Sequence, residues 1–160
     1  LAEAERRVQA IATVHAALSQ NVDESVDFDE VARTIVRMAG AIASTDHSVE
    51  VITTGSFGTI QADQAQALAT VLNELVANSV EHGLAERDGL IEVRAVREGN
   101  SMTVTVADDG VGFVPGTPMS GLGTQIVHQM VRGELKGSIE WAPREGGGTL
   151  VTLHANLDPA

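Results

Sequence analysis

Apolar residues repeat at helical spacing in four stretches of the chain, with strand-like runs between them. Leu1, Ala4, Val8, Ile11, His15, Leu18 and Val22 alternate steps of three and four, a heptad seam with Glu3, Glu5, Arg6 and Arg7 outside it. Such a seam predicts a helix that packs on a partner helix. Phe28, Val31, Ile35, Met38 and Ile42 form a second stripe, and Asp27 followed by Glu30 predicts the start of a helix ending near Ala43. Leu68, Leu72, Leu75, Val76 and Ser79 make one face of a third helix, capped by Asp63 with Gln66, and Ile126, Val127, Met130 and Val131 mark a fourth.

Ser48 to Thr53 and Gly58 to Gln61 read as two short strands around Gly55. Ile91 to Val96 and Met102 to Val106 read as a hairpin about Glu98-Gly99-Asn100, and Leu135 to Trp141 with Leu150 to Ala155 as the last two strands. This order predicts an α/β fold, a two-layer sandwich with helices on one face of a mixed sheet and an N-terminal helical arm. No internal repeat or low-complexity tract interrupts it.

Bulk properties narrow the choices. At 160 residues the chain holds one core and an added element. Lys and Arg number 10 against 22 Asp and Glu, and the net charge of −12 argues against binding a phosphate backbone and so against nucleic acid as a partner. The absence of cysteine excludes disulfides and thiol chemistry and fits a reducing compartment. No apolar run approaches membrane-spanning length and no signal-peptide pattern opens the chain. A cytoplasmic protein without membrane contact is the expectation. The chain opens inside a helical pattern without an initiating methionine, which predicts a piece of a longer protein.

Three segments carry candidate chemistry. In Leu72 to Gly83, Glu74, Asn78 and His82 follow at i, i+4 spacing, so a helix would project them from one side. An acid and an amide one turn apart suit magnesium, a hard cation that takes oxygen donors and keeps several waters. An ordinary amphipathic helix with a solvated face explains that spacing equally well. In Asp108-Asp109-Gly110-Val111-Gly112-Phe113 the first aspartate stands at a strand end, where a fixed carboxylate can accept from an exocyclic amine and glycines let the backbone approach a flat ring. A plain Asp-Gly turn is the competing explanation. In Gly121-Leu122-Gly123-Thr124-Gln125, two glycines precede a helical run and present free backbone N–H groups, a natural phosphate site that can also be a simple cap.

Taken in order, with Gly146-Gly147-Gly148-Thr149 entering a last strand, these boxes resemble one superfamily over about residues 63 to 156. It is the ATPase domain (Bergerat fold) shared by sensor histidine kinases, type II topoisomerases, Hsp90 chaperones and mismatch-repair ATPases, with the histidine kinase branch nearest. The resemblance implies ATP and Mg²⁺ as ligands. It implies Glu74 and Asn78 as the acidic and magnesium-binding residues, with Glu74 also acting as general base or polarising the acceptor. It makes Asp108 the contact to the adenine amino group, with Gly110 and Gly112 beside the base. Gly121 and Gly123, with Leu122 and Thr124, would hold the triphosphate, and Thr149 would place a hydroxyl near the base. Phe113 to Ser120 would form a short lid, which together with His82 as a further nucleotide contact resembles an abbreviated-lid subgroup. That subgroup often has lysine where this chain has Glu81, and no binding role is assigned to Glu81.

The implied activity is protein histidine kinase: phosphoryl transfer from ATP to a histidine, then to an aspartate of a response regulator. The implied layout is residues 1–22 as the second helix of a dimerisation hairpin, through which the full-length protein forms a homodimer, and residues 23–160 as the ATP-binding domain. The phosphoacceptor is expected outside the chain, because His15 falls on the packed seam. His47, His128 and His154 share no metal-ligand spacing. Two alternatives remain open at this stage: an anti-sigma-factor serine kinase, and a non-catalytic interaction module that retains the fold.

Overall fold

The computed structural model describes residues 12, 25–43, 47–84, 87–112 and 122–159. The chain there runs β1 (Ser25–Asp27), α1 (Phe28–Ala43), β2 (Val49–Gly55), β3 (Thr59–Gln61) and α2 (Ala62–Asn78), which continues as a π-helical turn (Ser79–Gly83). Then follow β4 (Gly89–Glu98), β5 (Ser101–Asp108), α3 (Leu122–Gly133), β6 (Ser138–Pro143) and β7 (Thr149–Asn156). The arm expected over residues 1–22, His15 included, falls outside the described residues apart from residue 12. The lid expected over 113–120 and Gly121 also fall outside them.

Five strands form one sheet in the order β2-β4-β5-β7-β6. β2 pairs with β4 in parallel, a pairing that needs a crossover, and α2 lies on it; the other pairs are antiparallel. The alternation read along 101–106 is seen in β5, where Met102, Val104 and Val106 are buried and the residues between them are half-exposed or exposed. β4 and β5 are joined by Gly99-Asn100, with Gly99 at a φ of 61° in the place where a two-residue type II′ hairpin needs glycine. The two short strands read around Gly55 belong to different sheets, since β3 pairs with β1 in a separate two-stranded ribbon.

α2 packs between α1 and α3, so it is buried on more than its sheet face. Leu68, Leu72, Leu75, Val76 and Ser79 are buried as the sequence predicts. Each large apolar side chain so enclosed contributes about 1.5–3 kcal/mol relative to exposure. Two expectations change. α1 buries Phe28, Val31, Ala32, Ile35, Val36 and Ala39, which leaves Met38 exposed, because the helix must touch both α2 and β2 rather than one partner. Asp63 does not cap α2: β3 runs directly into the helix, Gln61 takes the cap position without a side-chain bond, and Asp63 lies in the first turn, where its charge complements the helix dipole.

Side chains tie the pieces together. Arg97 on β4 donates from Nη1 to the carbonyls of Phe57 (2.6 Å) and Thr59 (3.0 Å), which pins the small ribbon to the main sheet. The Phe28 and Phe57 rings meet at 5.2 Å beneath it. At the far end of the sheet, Gln64 on α2 donates from Nε2 to the carbonyls of Glu134 (2.8 Å) and Asn156 (3.3 Å) and accepts from the Asp158 N–H (2.7 Å). One buried amide thereby joins α2, the end of α3 and the chain after β7.

Gln64→Ala should lower stability by about 2–3 kcal/mol, since three hydrogen bonds of a buried group are lost at once. Thermal denaturation should read this as a fall of roughly 5–10 °C, and a change near zero would mean that the clasp is not part of the cooperative unit.

Candidate functional site

β5 delivers Asp108 to the end of the central strand with only 1% of its surface exposed. Its Oδ1 accepts from the N–H groups of Gly110 (3.0 Å) and Thr149 (3.3 Å), while Oδ2 has no partner among the described residues. Burial pushes the carboxyl above the usual range, the two backbone N–H groups oppose that, Asp109 adds to it and Arg144 counters it. Left without a donor among the described residues, that buried oxygen is a candidate acceptor for a ligand.

The turn between β6 and β7 closes against this strand end. Gly148 has a φ of 102°, and a Cβ built there would stand 1.9 Å from the Asp108 carbonyl oxygen, so only glycine permits the approach. Gly112 lies against the Gly148 carbonyl in turn. Gly110 and Thr149 are buried beside Asp108. The structure therefore brings Asp108, Gly110, Gly112 and Thr149 into one cluster from two distant stretches of sequence.

The acid-amide helix reaches the same end of the molecule. The π-helical turn packs against β5, and Leu84, which follows it and is fully buried, fills the space left by Gly89 beside the Asp109 carboxylate. Along α2, Glu74 is 2% exposed, Asn78 is half-buried and His82 is exposed. The Leu84 N–H bonds to the Ser79 carbonyl at 2.7 Å, an i→i+5 bond. That wider turn winds less per residue than an α-helix, and His82 lies on it, exposed.

α3 supplies the helix N-terminus. The Gln64–Glu134 bond ties the start of α2 to the end of α3, and the two helices pack against each other. The 12 residues of α3 span about 18 Å from Leu122 to Gly133. Gly123 and Thr124 are buried in that first turn, and of Leu122 only the backbone is described. The π-helical turn that ends α2 is the part of the acid-amide segment that meets β5, the strand carrying Asp108. Among the described residues no group of three His, Asp or Glu side chains converges on a metal position, so a cation here would draw on Glu74, Asn78 and the oxygens of its substrate.

Two residues near Asp108 were missed by sequence reasoning. Arg144 donates from Nη1 to the Asp108 carbonyl at 3.4 Å, and Asp109 accepts from the Leu90 N–H at 2.9 Å while its own carbonyl takes Arg87 Nη2 at 3.0 Å. The glycine run after Arg144 marked a turn, but nothing local pointed that turn at residue 108.

Residues 63–159 match the family model described as histidine kinase-, DNA gyrase B- and HSP90-like ATPase, and residues 1–42 match a model described as histidine kinase. The chain is similar to the sensor histidine kinase PdtaS of Mycobacterium tuberculosis, 39% identical over 158 residues covering 96% of the chain and 32% of that protein. The likeness to PdtaS of Mycolicibacterium smegmatis is also 39%, over 98% of the chain and 32% of the relative. The chain therefore spans about a third of the length of these relatives. Among solved structures, the histidine kinase domain of the Erythrobacter litoralis EL346 blue-light activated histidine kinase superposes with a TM-score of 0.69 at 23% identity, covering 96% of this chain and 74% of that one. The ATP binding domain of PrrB from Mycobacterium tuberculosis gives 0.67 at 21%, covering 86% and 100%. At such identity these two structures speak to the fold alone, and both agree with the mixed sheet and helical layer described above.

The raised pKa of Asp108 has a consequence for stability. A carboxyl whose folded value lies above its unfolded one contributes stability that is fully present below the unfolded value and lost as pH rises through the folded one. Asp108→Asn keeps the oxygen that accepts from Gly110 and Thr149 and cannot ionise. Its melting temperature should exceed that of the native chain at neutral pH, with the gap closing in acid. A variant that melts lower at neutral pH would contradict this account of the site.

Proposed function

The chain belongs to the family of histidine kinase-, DNA gyrase B- and HSP90-like ATPases, on its sensor histidine kinase branch, and from that premise we propose that it binds Mg-ATP and transfers its terminal phosphoryl group to a histidine. Onward transfer to an aspartate of a response regulator completes the proposed activity. The observation that carries the reading is the Asp108 carboxylate, buried, held through one oxygen by two backbone N–H groups, with its other oxygen without a partner among the described residues.

That oxygen fits the exocyclic amine of adenine, a donor it can accept in a charge-assisted hydrogen bond. Gly110 and Gly112, beside the acid, let a flat base approach the backbone in this reading, and Gly148 lets the β6–β7 turn close on the strand end. Thr149 adds a hydroxyl beside the pocket, and His82, exposed on the π-helical turn, covers the outer side of the nucleotide. Leu122, Gly123 and Thr124 bring the first N–H groups of α3, unpaired within the helix, to the phosphates, and Gly121, outside the described residues, is proposed as a further phosphate contact. Glu74 and Asn78 supply oxygen donors of the kind magnesium takes. Magnesium supplies neutralisation of the charge spread over the phosphoryl group in transfer. Glu74 then polarises the acceptor or takes its proton, and its near-complete burial keeps water from that step.

The proposed division of the chain is residues 1–22 in the dimerisation hairpin and 23–160 in the ATP-binding domain. Support for the boundary comes from packing: Val26, Phe28, Val31 and Ile35 belong to the same continuous core as Leu68 and Leu72. The histidine kinase match over residues 1–42 favours the two-component reading over an anti-sigma-factor serine kinase. The proposed site of action is the cytoplasm, and no helix among the described residues is long and apolar enough to cross a membrane. A homodimer through the hairpin is proposed for the full-length protein.

Calorimetric titration with a non-hydrolysable ATP analogue tests the reading. Affinity should rise with magnesium and be lost in Asp108→Asn; heat-silent mixtures in every condition would turn the reading toward a non-catalytic module. In the full-length protein, Glu74→Gln should slow autophosphorylation at saturating Mg-ATP by about 10²-fold or more, the usual weight of a general base. An unchanged rate would remove Glu74 from the chemistry.

A further inference from the structure

Arg144 closes a turn upon itself before reaching out of it. Its N–H donates to the Gly148 carbonyl at 2.9 Å, and its carbonyl accepts from the Gly147 N–H at 3.0 Å. With the backbone so fixed, the half-buried side chain extends to the strand end and sets Nη1 at 3.4 Å from the Asp108 carbonyl oxygen. The same turn donates the Thr149 N–H to the Asp108 carboxylate and brings Gly148 against the Asp108 main chain. A single cation thus rides on the turn that shapes the pocket around the acid.

Few other charges face that acid. Ile91 is opposite it on β4, and Leu150 and Thr149 on β7 are neutral. Asp109 follows it in the chain, with Arg87 held on the Asp109 carbonyl. The π-helical turn packed on β5 carries Glu81 and His82, and Glu145 is exposed on the glycine turn. Asp109 and Arg144 are the two charges that act on Asp108, in opposite directions, with burial acting on the side of Asp109.

We propose that Arg144 is a positioning residue for nucleotide recognition, whose guanidinium, carried on the glycine turn to the Asp108 main chain, adds to the Gly110 and Thr149 N–H groups in favouring an ionised acceptor for the amino group of the base and so moves the acid limit of nucleotide binding downward. This rests on the nucleotide reading above. An ionised carboxylate only accepts, whereas the protonated acid turns one oxygen into a donor. An exocyclic amine is itself a donor, so protonation of Asp108 sets donor against donor in a buried place, where an unmade hydrogen bond is costly. A cation beside the strand end postpones that event on the acid side.

Calorimetric affinity for a non-hydrolysable ATP analogue with magnesium, measured from neutral pH downward, tests the proposal on the native chain, Arg144→Gln, Arg144→Lys and Asp108→Asn, each checked for folding by its melting curve. The native chain should lose affinity in acid. Arg144→Gln should lose it at higher pH and bind within a few-fold of native at the alkaline end, and Arg144→Lys should return the acid limb toward the native position. If Arg144→Gln does not fold, Arg144→Met, which keeps an aliphatic stem, takes its place. Coincident acid limbs for the native chain and Arg144→Gln overturn the proposal, and so does an equal loss in Arg144→Gln and Arg144→Lys at every pH, which a damaged turn would give. Native-like binding by Asp108→Asn would instead remove the nucleotide reading, and the proposal with it.

Discussion

A carboxylate kept almost wholly out of water at the end of a central strand is the demand around which this molecule is arranged. Burying such a group is costly unless its oxygens are supplied with hydrogen bonds. The chain answers with backbone N–H groups from two separate places, Gly110 just beyond the strand and Thr149 at the start of β7. To bring Thr149 there, β7 must lie next to β5 and the turn before it must approach so closely that Gly148 has no room for a side chain. Strand order, turn composition and the acid are consequences of one another.

α2 gives that acid its surroundings. Gln64 holds one end of the helix to α3 and to the chain after β7, and the π-helical turn with Leu84 holds the other end to Gly89 and the Asp109 side chain. Between those anchors nearly every residue from Gln64 to Ala77 is buried, so the position of Glu74 and Asn78 relative to Asp108 is set by packing rather than by a loop. The helix is held at two ends by different chemistry, a hydrogen-bonded amide at one and a knob of hydrocarbon at the other. A displacement of α3 is therefore felt along α2 as well.

Charge enters at the last step. With 22 acidic residues against 10 basic ones the surface is strongly negative, a poor background for a polyanionic ligand. In the proposed binding role, attraction must then come from local devices: helix-end N–H groups, a metal held by neutral and acidic oxygens, and a cation on a fixed turn. Glu81, half-buried on the π-helical turn, adds to the negative background rather than relieving it.

Much of the fold was legible because it is written in short-range patterns. The alternation in β5, the hairpin at Gly99-Asn100, the buried face from Leu68 to Ser79 and the strand end at Asp108 each depend on residues only a few places apart, where periodicity and turn chemistry act. The order of the acid-amide, Asp-x-Gly-x-Gly and Gly-x-Gly boxes was equally visible. What the sequence could not display was set by contacts between distant segments: Met38 facing outward because α1 serves two neighbours, β2 and β3 parting into separate sheets, the π-helical turn that closes α2, and Arg144 brought to the main chain of a residue 36 positions earlier. By itself the sequence determined which residues are apolar, which can turn and which can carry charge. Only the tertiary structure decided which of them meet, because the free energy that chooses among pairings comes from burial shared across the whole sheet and its helices, and no local window contains it.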